Sequence, residues 1–190
     1  NKLKRTYEAG VRLIEEIKDE IMYLESIINA LDIATTENDL NNIKEELIIT
    51  GYIKKNSKSK SKDNKNNKPL HYISSDGFDM YVGKNNLQND ELTFKFASNS
   101  DWWFHAKQIP GSHVIVKTNG KELPDRTFEE AAALAAYYSK GRNLDKVEVD
   151  YVLKKEVKKP AAAKPGFVVY YTNYSLIAIA DIKGIKEVTG

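Results

Sequence analysis

Apolar residues return every seven positions through the first 31 residues: Tyr7, Ile14, Ile21 and Ile28 form one register, and Leu3, Gly10, Ile17, Leu24 and Leu31 form a second, offset by three. This is the a/d seam of a coiled coil, broken only at Gly10. No proline falls between Leu3 and Asp32, so a continuous helix of roughly 45 Å is expected from a rise of about 1.5 Å per residue. Glu15, Glu16, Lys18, Asp19, Glu20 and Glu25 fall mostly off the seam, on a solvated face. A helix with two apolar registers needs a partner helix in water, and the sequence contains no second helix of matching length. The partner is therefore either a second copy, with the isolated chain self-associating through the helix, or a helix in another part of a longer protein, whose absence makes the isolated chain self-associate. A shorter helix is expected after Thr36, which has Asp39 three residues on as a capping partner. It would carry Leu40, Ile43 and Leu47 and stop at Gly51.

Charge divides the chain further. The 190 residues carry a net charge of only +2, yet residues 1–50 carry −5 and residues 51–68 carry +6, with seven lysines against Asp63. Lys54 to Lys68 is Lys, Ser and Asn with a single Asp and no apolar residue, a composition that cannot bury enough surface to offset the entropy of ordering it. It reads as a flexible linker, serving either as a phosphate-seeking arm or as a solubilising tether. The expected organisation is a helical arm over 1–50, a linker over 51–69 and a domain over 70–190. The chain has no cysteine, which excludes a disulfide framework, a thiolate zinc site and a cysteine nucleophile. No stretch approaches the roughly 18 apolar residues that span a bilayer, and the first residues lack the order of a secretory signal. A cytoplasmic location is the expectation, although a piece cut from a longer protein would show no signal in any case.

From Leu70 the texture changes to short β-prone runs. Ser75, Asp76 and Gly77 predict a tight turn between His71–Ser74 and Phe78–Val82. Further strands are expected at Leu92–Ala97, Trp102–Ala106, His113–Lys117, Lys146–Leu153, Phe167–Thr172 and Leu176–Ala180. One helix is expected to open with Thr127 and Glu130 as a capping box, present Ala131, Ala132, Ala133, Ala135 and Ala136 to a sheet, and stop at Gly141. The fold class is α+β: a coiled-coil arm, then a mostly antiparallel sheet with a helix covering one face.

Three polar clusters exceed what folding alone asks for. The first runs from Gly83 to Asp90 and places Lys84, Asn85, Asn86, Gln88, Asn89 and Asp90 in one connection. Asn suits turns, but so many amide edges also suit recognition of bases, sugars or phosphates. The second runs from Asp101 to His113. In a strand, Trp102, Phe104 and Ala106 face one way while Trp103, His105 and Lys107 face the other, a set that could stack a base and neutralise a phosphate. The competing reading is a buried aromatic strand. Pro110 and Gly111 then turn the chain beside Ser112. The third cluster, Lys154 to Gly166, carries Lys154, Lys155, Lys158, Lys159 and Lys164 against Glu156 and is punctuated by Pro160 and Pro165. It forms a basic patch or a solvated loop.

Catalytic readings find no support in these residues. Adjacent Ser112 and His113 would point to opposite faces of a strand, and no GxSxG elbow is present. His71, His105 and His113 have no metal-ligand spacing, and no Walker A or Rossmann fingerprint appears. Binding rather than turnover is expected, with no catalytic residue, metal or cofactor.

DGFDMYVGKNNLQND, DWWFHAKQIPGSHVIV, the EEAAALAAYYS helix and VDYVLKKEVKKPAAAKPGFVVYY together closely resemble the RNA-binding NFACT-R domain of the NFACT family, over about Leu70 to Ala180. The segment ending Glu45-Glu46-Leu47 and Gly51-Tyr52-Ile53-Lys54-Lys55 resembles the second arm of that family's central coiled coil. The resemblance implies that the first arm and the amino-terminal domain lie outside this chain. It also implies a role on large ribosomal subunits blocked by peptidyl-tRNA, with tRNA or rRNA as partner, in support of untemplated alanine tails on stalled nascent chains. It places the RNA-facing residues at Lys84, Asn85, Asn86, Gln88, Asn89, Asp90, His105, Lys107, Ser112, His113, Lys159 and Lys164, and Trp103 joins them from the strand reading. Two positions depart from the family pattern: Ala162 stands where Gly is frequent, and Gln108 where an acidic residue is common. Because specific tRNA selection in the family is attributed mainly to the absent regions, this chain is not expected to select alanyl-tRNA by itself. The competing function is a cell-surface adhesin for fibronectin or fibrinogen, to which relatives in Gram-positive bacteria have been linked.

Overall fold

A computed structural model describes residues 2–55 and 68–189. The arm is a 32-residue helix, α1 (Lys2–Ile33), followed by the 13-residue α2 (Glu37–Ile49). The Thr36 capping box forms as the sequence predicts: its side chain accepts from the Asp39 N–H, and Asp39 accepts from the Thr36 N–H. Gly51 follows the helix at φ 84°, a left-handed position that suits glycine.

The arm packs with a different face from its heptad seam. Tyr23, Ile27 and Ala30 of α1 close on Ile43 of α2, with Ala34 and Leu47 at the margin. The seam lies one position further round the helix and is open along its length, from Leu3 at 87% exposure through Ile14 at 54% to Ile28 at 57%. Each position turns about 100° on a helix, so an apolar stripe remains available to another helix while its neighbour holds α2.

The domain is a seven-stranded sheet in the order β6-β5-β3-β4-β2-β1-β7, comprising β1 (Leu70–Ile73), β2 (Asp79–Val82), β3 (Trp102–Ala106), β4 (Val114–Val116), β5 (Val147–Leu153), β6 (Tyr174–Ala178) and β7 (Lys186–Glu187). Every pairing is antiparallel. The Ser75-Asp76-Gly77 turn joins β1 to β2 with Gly77 at φ 84°. Alternation along β3 sends Phe104 and Ala106 to one face, where Met80, Val82, Val114 and Val149 meet the alanine face of the helix at Asp125–Tyr137. Trp103 faces the other way, into a smaller core with Leu92, Ile115, Val152 and Val157.

Several local expectations are corrected. Leu92–Ala97 is helical rather than extended: α3 (Asn86–Glu91) continues into a π-helical turn (Leu92–Phe96), closed by the Ala97 N–H donating to the Leu92 carbonyl at 2.9 Å. The alternation of Leu92, Phe94 and Phe96 imitates a strand, but the Asn85 cap upstream commits the chain to a helix. The helix here called α4 (Asp125–Tyr137) starts after Pro124, before the expected box, and stops short of Gly141. Thr127 and Glu130 serve the β1–β2 turn instead. Thr127 Oγ1 bonds Ser74 Oγ and Asp76 Oδ2, and Glu130 Oε2 accepts from the Ser75 N–H at 2.8 Å. Phe167–Thr172 forms no strand and contributes a single bridge between Val169 and Lys158. Within the expected Lys54–Lys68 linker, residues 56–67 lie outside the described residues.

Candidate functional site

The Gly83–Asp90 cluster is the cap and first turns of α3, and its side chains point inward. Asn85 caps the helix, its Oδ1 accepting from the Gln88 N–H at 2.9 Å, while Gln88 Oε1 accepts from the Lys84 N–H at 2.9 Å. Asn89 Oδ1 accepts from the His113 N–H at 3.0 Å. Its oxygen lies so close to Gly83 that a Cβ there would stand 2.1 Å away, so glycine is required for the approach. These bonds tie the end of β2 to the start of β4.

The same helix reaches the arm. Asn86 Nδ2 donates to Glu46 Oε1 at 2.8 Å and to Ser26 Oγ at 2.7 Å, and the Tyr23 hydroxyl donates to the same Glu46 oxygen at 2.9 Å. Glu46 is fully buried. Burial pushes its carboxyl above the usual range, against the lowering effect of the Asn86 and Tyr23 bonds. Lys84 Nζ pairs with Asp39 Oδ1 at 2.5 Å, with both side chains largely removed from water. Burial raises Asp39, but the Lys84 bond and the N–H groups of Thr35 and Thr36 outweigh it and hold the carboxyl below its ordinary value.

The basic loop closes the other side. Lys159 Nζ pairs with Asp90 Oδ2 at 2.8 Å and donates to the Lys164 carbonyl at 2.7 Å, while the Gly166 N–H donates to Asp90 Oδ1 at 3.1 Å. Gly166 sits at φ 79°, and a Cβ there would lie 2.4 Å from Asn86 Oδ1. Lys164 Nζ stands 4.6 Å above the Tyr23 ring and 3.0 Å from the Tyr52 hydroxyl. Ala162 adopts φ 58°, a left-handed conformation for which glycine is better suited. Gln108 shares that region at φ 56°.

The three clusters therefore meet, largely through an internal joint between arm and domain. Asn85, Asn86, Gln88, Asn89, Ser112 and His113 are buried. Trp103 is fully buried against His105, His113 and Tyr170, which corrects the expectation that its ring is presented to a base. Burial lowers His105 to about 4, against hydrogen bonding to the Gly111 backbone, and lowers His113 well below its ordinary value. Lys107 remains partly accessible, and Glu148 at 2.6 Å, with Asp150 behind it, favours its charged form. Lys159 and Lys164 keep partial exposure.

Sequence reasoning missed the arm's half of the joint: Tyr23, Ser26, Asn29, Asp39 and Glu46. A signal existed in Ser26 and Asn29, polar residues beside the packed face of α1. Asn29 donates to the Tyr138 carbonyl at 3.2 Å and accepts from Arg142 at 3.1 Å. The nearby cleft of about 300 Å³ is lined by Glu25, Ile28, Asn29, Asp32, Lys140, Arg142 and Asn143. Lys140 and Glu25 pair at its edge. Among the described residues no group of three His, Cys, Asp or Glu could hold a metal, and no helix is long and apolar enough to cross a membrane.

A family model described as the NFACT protein RNA binding domain matches residues 68–172, and one described as the NFACT N-terminal and middle domains matches residues 1–66. A Streptococcus suis protein named Rqc2 homolog RqcH is 47% identical over 170 residues, covering 89% of this chain and 30% of that protein. Its Bacillus subtilis namesake is 40% identical over 176 residues, covering 92% of this chain and 30% of its own length. The solved C-terminal part of a fibronectin/fibrinogen-binding protein from Streptococcus suis matches with a TM-score of 0.87 and 44% identity, covering 97% of this chain and 74% of that one. The chain thus spans about 30% of the length of these two curated relatives.

Proposed function

We propose that this chain, which belongs to the NFACT family, is the RNA-holding part of a ribosome-associated quality-control factor. In this reading it grips tRNA or rRNA on a stalled large ribosomal subunit and supports alanine tailing of the nascent chain. It acts in the cytoplasm by binding rather than by turnover. The observation that carries the reading is the match of residues 68–172 to an RNA-binding domain, together with the polar joint that seats this domain on the arm. The names of the curated relatives add support.

Two roles follow for the candidate residues. Lys107, Lys159, Lys164 and the accessible edge of His105 contact RNA, while Lys84, Asn85, Asn86, Gln88, Asn89, Asp90, Trp103, Ser112 and His113 fix the surface that carries them. Since arm and domain touch directly, the domain's reach is set by the direction of the arm and not by a long tether. The open seam of α1 takes a helix from the rest of the full-length protein. In its absence the isolated chain self-associates, and Ile14→Glu with Ile21→Glu should return it to a monomer in analytical ultracentrifugation; an unchanged oligomer would show that another surface is responsible.

The test is binding of the chain to purified large subunits and to tRNA across a salt series. Expected is an affinity that falls steeply with salt, as counterion release from phosphates requires. A second reading, adhesion to fibronectin, is favoured by the name of the solved relative. Salt-insensitive binding to fibronectin without measurable binding to subunits or tRNA would replace the first reading with the second.

A further inference from the structure

The sheet face opposite α4 carries a second basic surface, which joins Lys154, Lys155 and Lys158 of the basic loop to residues outside the three polar clusters. Its centre is the π-helical turn Leu92–Phe96, a feature frequent at functional sites. The turn projects Lys95 and Phe96, the latter 43% exposed. Lys117 Nζ stands 4.9 Å from the Phe96 ring centre, and Lys154 Nζ 6.0 Å from that of Phe94.

Backbone bonds fix a second group of lysines beside the turn. The Lys154 N–H donates to the Asp101 carbonyl at 2.8 Å and the Lys155 N–H to the Asn99 carbonyl at 3.4 Å, while Lys158 Nζ donates to the Lys155 carbonyl at 3.0 Å. Lys155 and Lys158 are exposed. The nearby Asp101 carboxylate is engaged internally by Lys117 and by the N–H groups of Ser98 and Thr118. Asp79, across from Lys117 on the neighbouring strand, is paired with His71 at 2.7 Å. Lys117 is itself taken up by Asp101, so the positive charge of the surface is carried by Lys95, Lys154, Lys155 and Lys158.

We infer that this surface holds an unpaired RNA segment, with its phosphates on Lys95, Lys154, Lys155 and Lys158 and a base against Phe96. The inference rests on the RNA-binding reading above and adds a second contact surface to it. Clustered amines alone would suit any polyanion. An exposed ring among them favours single-stranded nucleic acid, whose bases are available for stacking, over a duplex or an acidic protein.

The experiment uses the whole chain and fluorescence anisotropy with a labelled oligouridine of roughly ten nucleotides, a length within the range such sites hold. Lys95→Glu, Lys155→Glu and Lys158→Glu are combined in one variant, and Phe96→Ala forms another, each checked for fold by circular dichroism. The triple variant should bind at least tenfold more weakly at low salt and flatten the slope of log K against log salt by about two. Phe96→Ala should weaken binding about tenfold with little change of slope. If the triple variant binds RNA as the parent does, the site is overturned while the RNA-binding reading stands. If the parent chain binds neither the oligonucleotide nor tRNA, both fall. Loss in the triple variant of binding to phosphatidylserine vesicles, with RNA binding intact, overturns the site in favour of a membrane surface.

Discussion

Replacing Lys84 by methionine is expected to lower the stability of the chain by about 3 kcal/mol at neutral pH. The substitution keeps most of the aliphatic stem and removes the ammonium that faces Asp39 at 2.5 Å. The Asp39 side chain is 2% exposed, so the carboxylate would be left without its cationic partner in a site water barely reaches. The N–H groups of Thr35 and Thr36 still point at it, which places the loss at the lower end of the range for broken buried pairs. Adding Asp39→Asn should recover most of the loss, because the uncompensated charge is then gone. Urea unfolding of both single variants and the double variant measures this. A Lys84→Met change within about 0.5 kcal/mol of the parent would mean that the pair carries no weight. The pH dependence has a definite sign: with its folded pKa depressed, Asp39 contributes stability above the ordinary carboxylate value and loses it as pH falls through the depressed one.

The second large effect concerns acid. His105 and His113 meet edge to face at 5.5 Å around Trp103. Burial lowers both, His105 to about 4. The surrounding charges act in opposite senses: Asp150 raises His105, while Lys159 lowers His113. When a histidine's folded pKa lies below its unfolded value, the unfolded chain binds more protons between the two. Its contribution is therefore complete above about pH 6.5 and lost as pH falls toward about 4. Between about pH 7.5 and about pH 5, His105 alone should remove about 2 kcal/mol, and His113 adds in the same direction. Glu46 works oppositely, because its raised pKa makes ionisation unfavourable in the fold and acid relieves that strain. Urea midpoints across this range should fall on acidification. His105→Gln should flatten the fall, whereas an unchanged profile would remove His105 as its source.

Much of the fold is legible from local pattern. The Thr36 cap, the Ser75-Asp76-Gly77 turn and the alternation of Trp102 to Ala106 depend on neighbours within a few residues, and each forms. The π-helical turn was hidden because Leu92, Phe94 and Phe96 alternate like a strand, and Thr127 with Glu130 imitated a helix cap while serving a turn more than fifty residues upstream. At the candidate site, the sequence singles out Asn85, Asn86, Gln88 and Asn89 as too polar for an ordinary connection. Their partners are spread through the chain: Ser26 and Glu46 face Asn86, and His113 faces Asn89. No spacing rule reveals such pairings, so an internal joint and an external binding edge look alike until the chain is folded.

Hydrogen exchange tests most directly whether these polar clusters fasten the arm to the domain. In the parent chain, the amides of Tyr23 to Ile33 in α1 should exchange with protection tied to that of Trp103 to Ala106 in β3, both falling together under mild denaturant. Asn86→Ala, which removes the donor to Glu46 and Ser26, should uncouple them, so that α1 exchanges early while β3 stays protected. If the parent's α1 already exchanges independently of β3, or if Asn86→Ala leaves the coupling intact, the arm is not held by this joint.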